Sequence, residues 1–339
     1  MRDIHLGVAL CSEDCASRLN SMSLHLIHPG LYSLLVDSGR PRSRSLGVPV
    51  GGAADRAALA LGNALVGNPA NTLALEFTLA GPMLRAEHPT AGVVFGAPFP
   101  ISIDGKPIEA GTTFAISAGR ELRIGGTASG ARGYLCVAGG FIAPVVLGSQ
   151  SSLEPLKAGE VLVCASSQCE PRGLGFANLP RGTLRVLPGP QRAWFPDDRF
   201  FTQTYEVTSA SNRMGLRLKG EPLTRRPGEL VSEAVAPGAI QITNDGLPVV
   251  LGVDGQTIGG YPKVAHVIRA DLDSLAQLRP GERIQFRLVS NEEAERAAKD
   301  RTELLRGWLA RLRAADRAPK IFHHGTHGIE PGVGRSGDS

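Results

Sequence analysis

"DGQTIGGYPKVAHV", Asp254 to Val267, gathers a carboxylate, an amide, an aromatic ring and a lysine around glycines and a proline. An apolar run, Pro248 to Val253, precedes it, and a second β-prone run follows from Lys263. Read locally, it is a tight turn between two strands. A bend needs only the glycines and the proline. The polar side chains crowded onto it suggest a ligand, because loops held by a rigid scaffold carry most binding groups. The bland alternative is a hairpin with a packed tyrosine.

The same texture recurs outward from this stretch. "LALEFTL", "AGVVFG", "ISIDG", "GTTFAIS", "ELRIGG" and "ARGYLCVAGG" are short β-like segments parted by Gly, Pro and Asp, and "LKAGEVLVCA" adds another. A second block runs from "GTLRVLPGPQ" to "GERIQFRLVS", with a short helix-like piece in "ADLDSLAQLRPGERIQF". Turn signals this closely spaced belong to barrels or sandwiches. With 42 glycines in 339 residues and aromatics at 5%, the chain reads as mainly β with many tight turns. The expected division is a first β domain over 22–166, a linker over 167–182 and a second β domain over 183–290.

Two helices stand out. Asp55 is placed to cap "RAALALGNALVGN", which Gly67, Asn68 and Pro69 terminate. From Asn291 an amphipathic pattern sets Ala294, Ala298, Leu305, Trp308, Leu309 and Leu312 on one face, with Glu292/Arg296 and Glu295/Lys299 on the other. Its polar face carries both signs of charge, which favours packing back onto the protein and predicts a helix over 291–318. Residues 1–21 read as a disordered extension ahead of Met22, and 319–339 as a disordered glycine-rich tail. His323, His324 and His327 lack the carboxylate or cysteine framework of a metal site, so none is expected.

Composition excludes several classes. A net charge of +4, with 42% hydrophobic and 20% charged residues, fits a soluble globular protein. The basic residues form no aromatic-studded patch, so nucleic acid is not an expected partner. No run approaches the roughly 18 apolar residues of a membrane span. The five cysteines are scattered and lack zinc-type spacing, which favours reduced thiols and a cytoplasmic location. No phosphate loop, Rossmann fingerprint, HExxH or GxSxG element is present.

The remaining polar chemistry sits on four Gly/Pro-rich loops: Asp37–Asp55, Leu187–Gln191, Ser211–Gly220 and the run from Ser232 through Lys263. Arg213 or Lys263 can neutralise a carboxylate. Gln256 can donate and accept at an amide or ureido group. Tyr261 can stack on a flat ring. Asp254 can orient the lysine or act as a base. Each also has an ordinary structural reading, Asp55 as a helix cap foremost.

In one order, "RPRSRSLGVPVGGAADRAALALGNALVGNPANTLALEFTLAGP", "LPGPQ", "NRMGLRL" and "EAVAPGAIQITNDGLPVVLGVDGQTIGGYPKVAHVIRADL" resemble the biotin-dependent carboxyltransferase family. That family covers the C subunit of bacterial ATP-dependent 5-oxoprolinase, the carboxyltransferase region of urea carboxylase, and KipA. The resemblance spans roughly residues 24–290 and implies two cyclophilin-like β-barrel domains. It implies a catalytic set of Asp254, Gln256, Tyr261 and Lys263. For substrate binding it implies Arg40, Gly51, Gly52, Asp55, Asn68, Glu76, Arg213, Gln241, Thr257 and Pro262, with Pro49 beside them.

The activity it implies first is that of the C subunit of a 5-oxoprolinase. Such a protein opens 5-oxoproline to glutamate together with subunits A and B (KipI-like), with ATP supplied through the assembled complex. Transfer of CO2 from carboxybiotin to a nitrogen acceptor is the alternative, and biotin belongs to that reading alone. A KipA-like, non-enzymatic partner role is the third. The chain departs from the family pattern at Phe95, at Gln150 and Ser152 in "GSQSS", at Asn212, and in a shortened loop after Ser152.

Overall fold

The computed structural model describes residues 22–165, 168–175, 182–226 and 228–317. The expected extension, the expected tail with its three histidines, and part of the expected linker lie outside these residues. The described chain is mainly β, as the segment spacing predicts.

Residues 22–164 build a six-stranded and a five-stranded sheet. Their facing sides enclose a core of Leu24, Leu26, Leu75, Phe77, Leu122 and Leu135, where Phe77 and Phe99 meet edge-on at 4.8 Å. The outer side of the five-stranded sheet carries helix α1 (Arg56–Leu65), packed on Val93, Phe95, Tyr134 and Cys136. Strand alternation decides which residues meet α1. In Ala74–Thr78, Leu75 and Phe77 point into the sandwich and Glu76 points to the helix side. On the neighbouring strand Arg132–Val137, Tyr134 lies directly opposite Glu76. Phe95 is paired with Tyr134 and buried, so it serves the core.

Asp55 caps α1 as expected, accepting from Ala58 N at 2.9 Å. Gly67 follows at φ +80, where a left-handed residue ends the helix.

Residues 183–288 contribute seven strands to a closed barrel. Its first strand, Thr183–Pro188, and its last, Arg283–Leu288, pair in parallel and close the ring, so no sheet edge is left bare. Leu184, Val186, Tyr205, Ile240, Val250 and Phe286 fill it. A short helix α2 (Arg199–Thr202) brings Phe200 onto Phe286 at 4.7 Å, and α3 (Leu272–Ala276) matches the helix-like piece expected there.

Residues 254–267 depart from their local reading. Pro248–Leu251 and Lys263–Val267 are not paired with each other, because each pairs with Ala239–Ile242 between them. Residues 252–262 are therefore a crossover that arches over the central strand, not a hairpin turn. On the way, Ile258–Gly259 form a two-residue ladder with Glu233–Ala234. Local propensity shows that the chain bends there, but barrel order decides which strands it joins.

The last helix, α4 (Asn291–Arg317), packs on α1 and on the turn at Arg269–Asp271. Ala294 joins a small core with Ile268 and Val289, and Leu312 meets the cluster beneath α1. Trp308 is 36% exposed, so the expected apolar face is only partly covered. The described ion pairs of α4 run to other elements, Glu293 to Arg287 and Arg301 to Asp273. Among the described residues no helix is long and apolar enough to cross a membrane, and no cluster could hold a metal ion.

Candidate functional site

The two β units meet along a seam of buried charge. Arg213, from the barrel, donates to Asp254 at two points, Nε to Oδ2 at 2.6 Å and Nη2 to Oδ1 at 3.0 Å. Its Nη1 donates to Glu76 of the first unit, and its Nη2 donates to the Gly52 carbonyl at 2.7 Å. Arg213 and Glu76 are 6% and 2% exposed, which makes this a fully desolvated pair.

The other lone pairs of Glu76 are occupied too. Its Oε2 accepts from Ala54 N at 2.9 Å and from the Tyr134 hydroxyl at 2.8 Å, and Arg132 lies 3.5 Å away. Burial works against its charge, but Arg213 and Arg132 outweigh that and hold the carboxyl below the usual range. For Arg213 burial likewise opposes the charge, and Glu76 and Asp254 drive its affinity for the proton higher still.

From Tyr134 the network continues to α1. The hydroxyl accepts from Asp55 N at 2.8 Å, and the Asp55 carboxylate accepts from Gln277 Nε2 at 2.8 Å. Gln277 belongs to the barrel unit and in turn accepts from Ala131 N and Arg132 N, each at 3.0 Å. Burial and the nearby Asp273 push the Asp55 carboxyl up to about 7, against the pull of these N–H donors.

The loop Asp37–Asp55 brings first-unit backbone to the barrel. Gly51 N donates to the Val253 carbonyl at 2.9 Å, and Arg44 donates to the Val235 carbonyl. Gly52 sits at φ +70, with room for no Cβ, since one would lie 2.5 Å from Gly39 N. Arg40 is 4% exposed and holds the carbonyls of Val146 and Ser151. Ser149 and Ser151, of the divergent "GSQSS" run, both donate to Asp37 at 2.6 Å, and Gln150 Nε2 donates to the Ala143 carbonyl.

A second cluster lies under the crossover. Gln241 opposes Val249 on one side and Lys263 on the other, beside a bulge in the strand. The arch drops Gln256 onto it, Nε2 to the Gln241 Oε1 at 3.4 Å. Gly259 lies between the two amides, because a Cβ there would sit 2.5 Å from Gln241 Nε2 and 2.6 Å from Gln256 Nε2. Gln241 is 2% exposed, and its Nε2 has no hydrogen-bond partner among the described residues. Alongside, Lys263 Nζ donates to Glu233 at 2.5 Å and Gln191 Nε2 donates to the same oxygen at 2.6 Å.

These positions sort the residues singled out in the sequence. Arg213, Glu76, Gly51, Gly52, Asp254 and Asp55 come together at the seam. Gln241, Gln256 and Lys263 come together under the arch, with Thr257 and Pro262 in its backbone: their carbonyls accept from Val235 N and Ile242 N. Tyr261 stands beside them, 38% exposed. Asp254 does not orient Lys263: its partner is Arg213, and the lysine's is Glu233. Asn68 lies beyond the far end of α1, bonded to Asn63, Val137 and Gly139, away from both clusters.

Sequence reading missed Tyr134, Arg132 and Gln277, and it marked the loops of Gln191 and Glu233 without giving either residue a role. Tyr134 and Gln277 carry a signal in hindsight, since each is a lone polar group in an apolar run and needs a buried partner.

Residues 46–288 match the carboxyltransferase domain, subdomains A and B. The chain belongs to this family. Among carboxyltransferase-domain relatives, the 5-oxoprolinase C subunit of Escherichia coli is 38% identical over 82% of this chain and 94% of its own length. Urea amidolyase of Lachancea kluyveri is 32% identical over 78% of this chain but 17% of its own length. The crystal structure of the Kluyveromyces lactis urea carboxylase superposes at a TM-score of 0.78, with 27% identity, over 84% of this chain and 29% of that one. The seam and the arch both lie inside the matched carboxyltransferase domain.

Proposed function

We propose that the chain is the C subunit of an ATP-dependent 5-oxoprolinase, opening 5-oxoproline to glutamate together with subunits A and B. The observation that carries this reading is the extent of the likeness. The chain accounts for nearly all of the Escherichia coli 5-oxoprolinase C subunit, but for a small part of the urea amidolyase chain.

The geometry supports a substrate of this type. A lactam presents a carbonyl acceptor and an N–H donor side by side, and a carboxamide is its complement. Gln241 supplies a buried donor with no partner among the described residues, and exposed Gln256 supplies the second amide. Asp254 has a side chain 30% exposed and fixed at two points by Arg213. That makes it the carboxylate best held to orient water or take a proton. Lys263 is neutralised by Glu233, so its part is to position the crossover beside Gln241.

The chain carries no phosphate-loop motif. The N-terminus of α1 is already capped by Asp55, which accepts from Ala58 N. In this reading ATP is bound by subunits A and B.

The paired amides also suit the ureido ring of biotin, which has the same carbonyl and N–H edge. That second reading makes the chain a carboxyltransferase component for a nitrogen acceptor such as urea. The two readings separate in one pair of assays. Mixed with subunits A and B, the chain should release glutamate from 5-oxoproline only with ATP. Mixed with a biotin carboxylase and a biotinylated carrier, it should not carboxylate urea. The reverse pattern would favour the second reading.

A further inference from the structure

The wall formed by Arg132 and Arg213 has a cavity on either side. One, of about 360 Å3, takes in Asp254, Tyr32 and Met214. The other, of about 620 Å3, lies between the two β units beneath α4, inside the roughly 300–1,000 Å3 typical of small-molecule sites. Neither Gln256 nor Lys263 lines it, and the matched family domain ends at residue 288, before α4 begins.

Two features define this larger cavity. Its inner wall is apolar, built from Leu216, Leu251, Leu272 and Leu275, and α4 adds Leu305 and Leu309 from one stripe of its surface. Its charge is one-sided, with seven arginines in the lining against a single carboxylate, Asp273. Four of those arginines are engaged: Arg132 and Arg213 at Glu76, Arg301 at Asp273, and Arg44 at the Val235 carbonyl. Arg56 makes only a long bond to the Ser38 carbonyl, at 3.5 Å, and Arg269 and Arg306 have no ion-pair or side-chain hydrogen-bond partner among the described residues; all three are exposed. Protein surfaces normally intersperse both charge signs. Unpaired guanidinium groups at the rim of an apolar chamber match an anion with a hydrophobic body.

We infer that this cavity is a second binding site, taking a small anionic molecule whose charged end meets the arginine rim and whose apolar body lies against the leucines under α4. The site is separate from the amides under the crossover, and it makes α4 part of a binding wall as well as a strap.

The test is calorimetric titration of the folded full chain with 8-anilinonaphthalene-1-sulfonate, an anion fused to apolar rings. N-phenyl-1-naphthylamine serves as the matching neutral probe. Saturable binding at one site is expected, at least tenfold tighter for the anion than for the neutral probe. Arg269→Glu combined with Arg306→Glu should weaken the anion at least tenfold while leaving the thermal midpoint in place, since both side chains are exposed. Leu305→Trp, which fills the chamber from α4, should weaken both probes. The inference is overturned if the wild-type chain shows no saturable binding. Equal affinity for the two probes, or undiminished binding in the charge-reversed variant, would overturn it as well.

Discussion

Arg213 of the barrel and Glu76 of the five-stranded sheet form a buried ion pair across the seam between the two β units. The arginine holds Asp254 with its remaining edge, and the glutamate holds Tyr134 and the backbone before α1. A carboxylate of the candidate site is thus positioned by a residue on the other unit, through one guanidinium. Neither half arranges Asp254 alone.

Removing one partner of such a pair leaves the other charge buried and unmatched. Glu76→Gln keeps the shape but leaves Arg132 without a counter-charge and Arg213 with Asp254 alone, and should cost about 3–5 kcal/mol of folding stability. Urea unfolding measures this directly. A change below about 1 kcal/mol, the range of an exposed pair, would show that the seam is solvated.

Asp55 and Glu76 should respond to pH in opposite directions. Glu76 has a folded pKa below its unfolded value, so its contribution is present above about pH 4.3 and fades as pH falls. Asp55 has a folded pKa raised to about 7, so its contribution is full below about pH 4. That contribution is lost as pH rises through 7. Asp55→Asn keeps a competent helix cap and removes the titration. Between pH 5 and pH 8 the wild-type chain should lose stability relative to this variant, by up to a few kcal/mol. Parallel stability curves for the two proteins would contradict the raised pKa.

Gln241 should separate activity from stability. Its Nε2 is buried without a partner among the described residues, which costs folding free energy unless a ligand supplies an acceptor. Gln241→Met should leave the thermal midpoint unchanged or higher, and lower glutamate formation by the reconstituted complex about 10- to 100-fold. A lower midpoint with normal turnover would make the residue structural.

Some of this was legible in the residues alone. Turn spacing marked a mainly β chain. Asp55 announced the start of α1, because capping is a contact between near neighbours. The amphipathic run after Asn291 gave α4. The seam was not legible in the same way. Glu76 stands in a strand and Arg213 on a loop far along the chain, and only strand alternation plus the docking of two units makes them partners. The crossover was misjudged locally for the same reason: its glycines and proline show that it bends, while the place of Ala239–Ile242 between its flanking strands is a property of the closed barrel. Asn68 looked like its neighbours in the motif, yet α1 carries it to the opposite end from Asp55.

The most direct measurement is ATP-dependent glutamate release from 5-oxoproline by the complex with subunits A and B, using Asp254→Asn in place of the wild-type chain. Asparagine fills the same space but cannot serve as the carboxylate that Arg213 fixes. The account predicts an intact complex with release reduced at least roughly 100-fold. Wild-type release from that variant complex would contradict it.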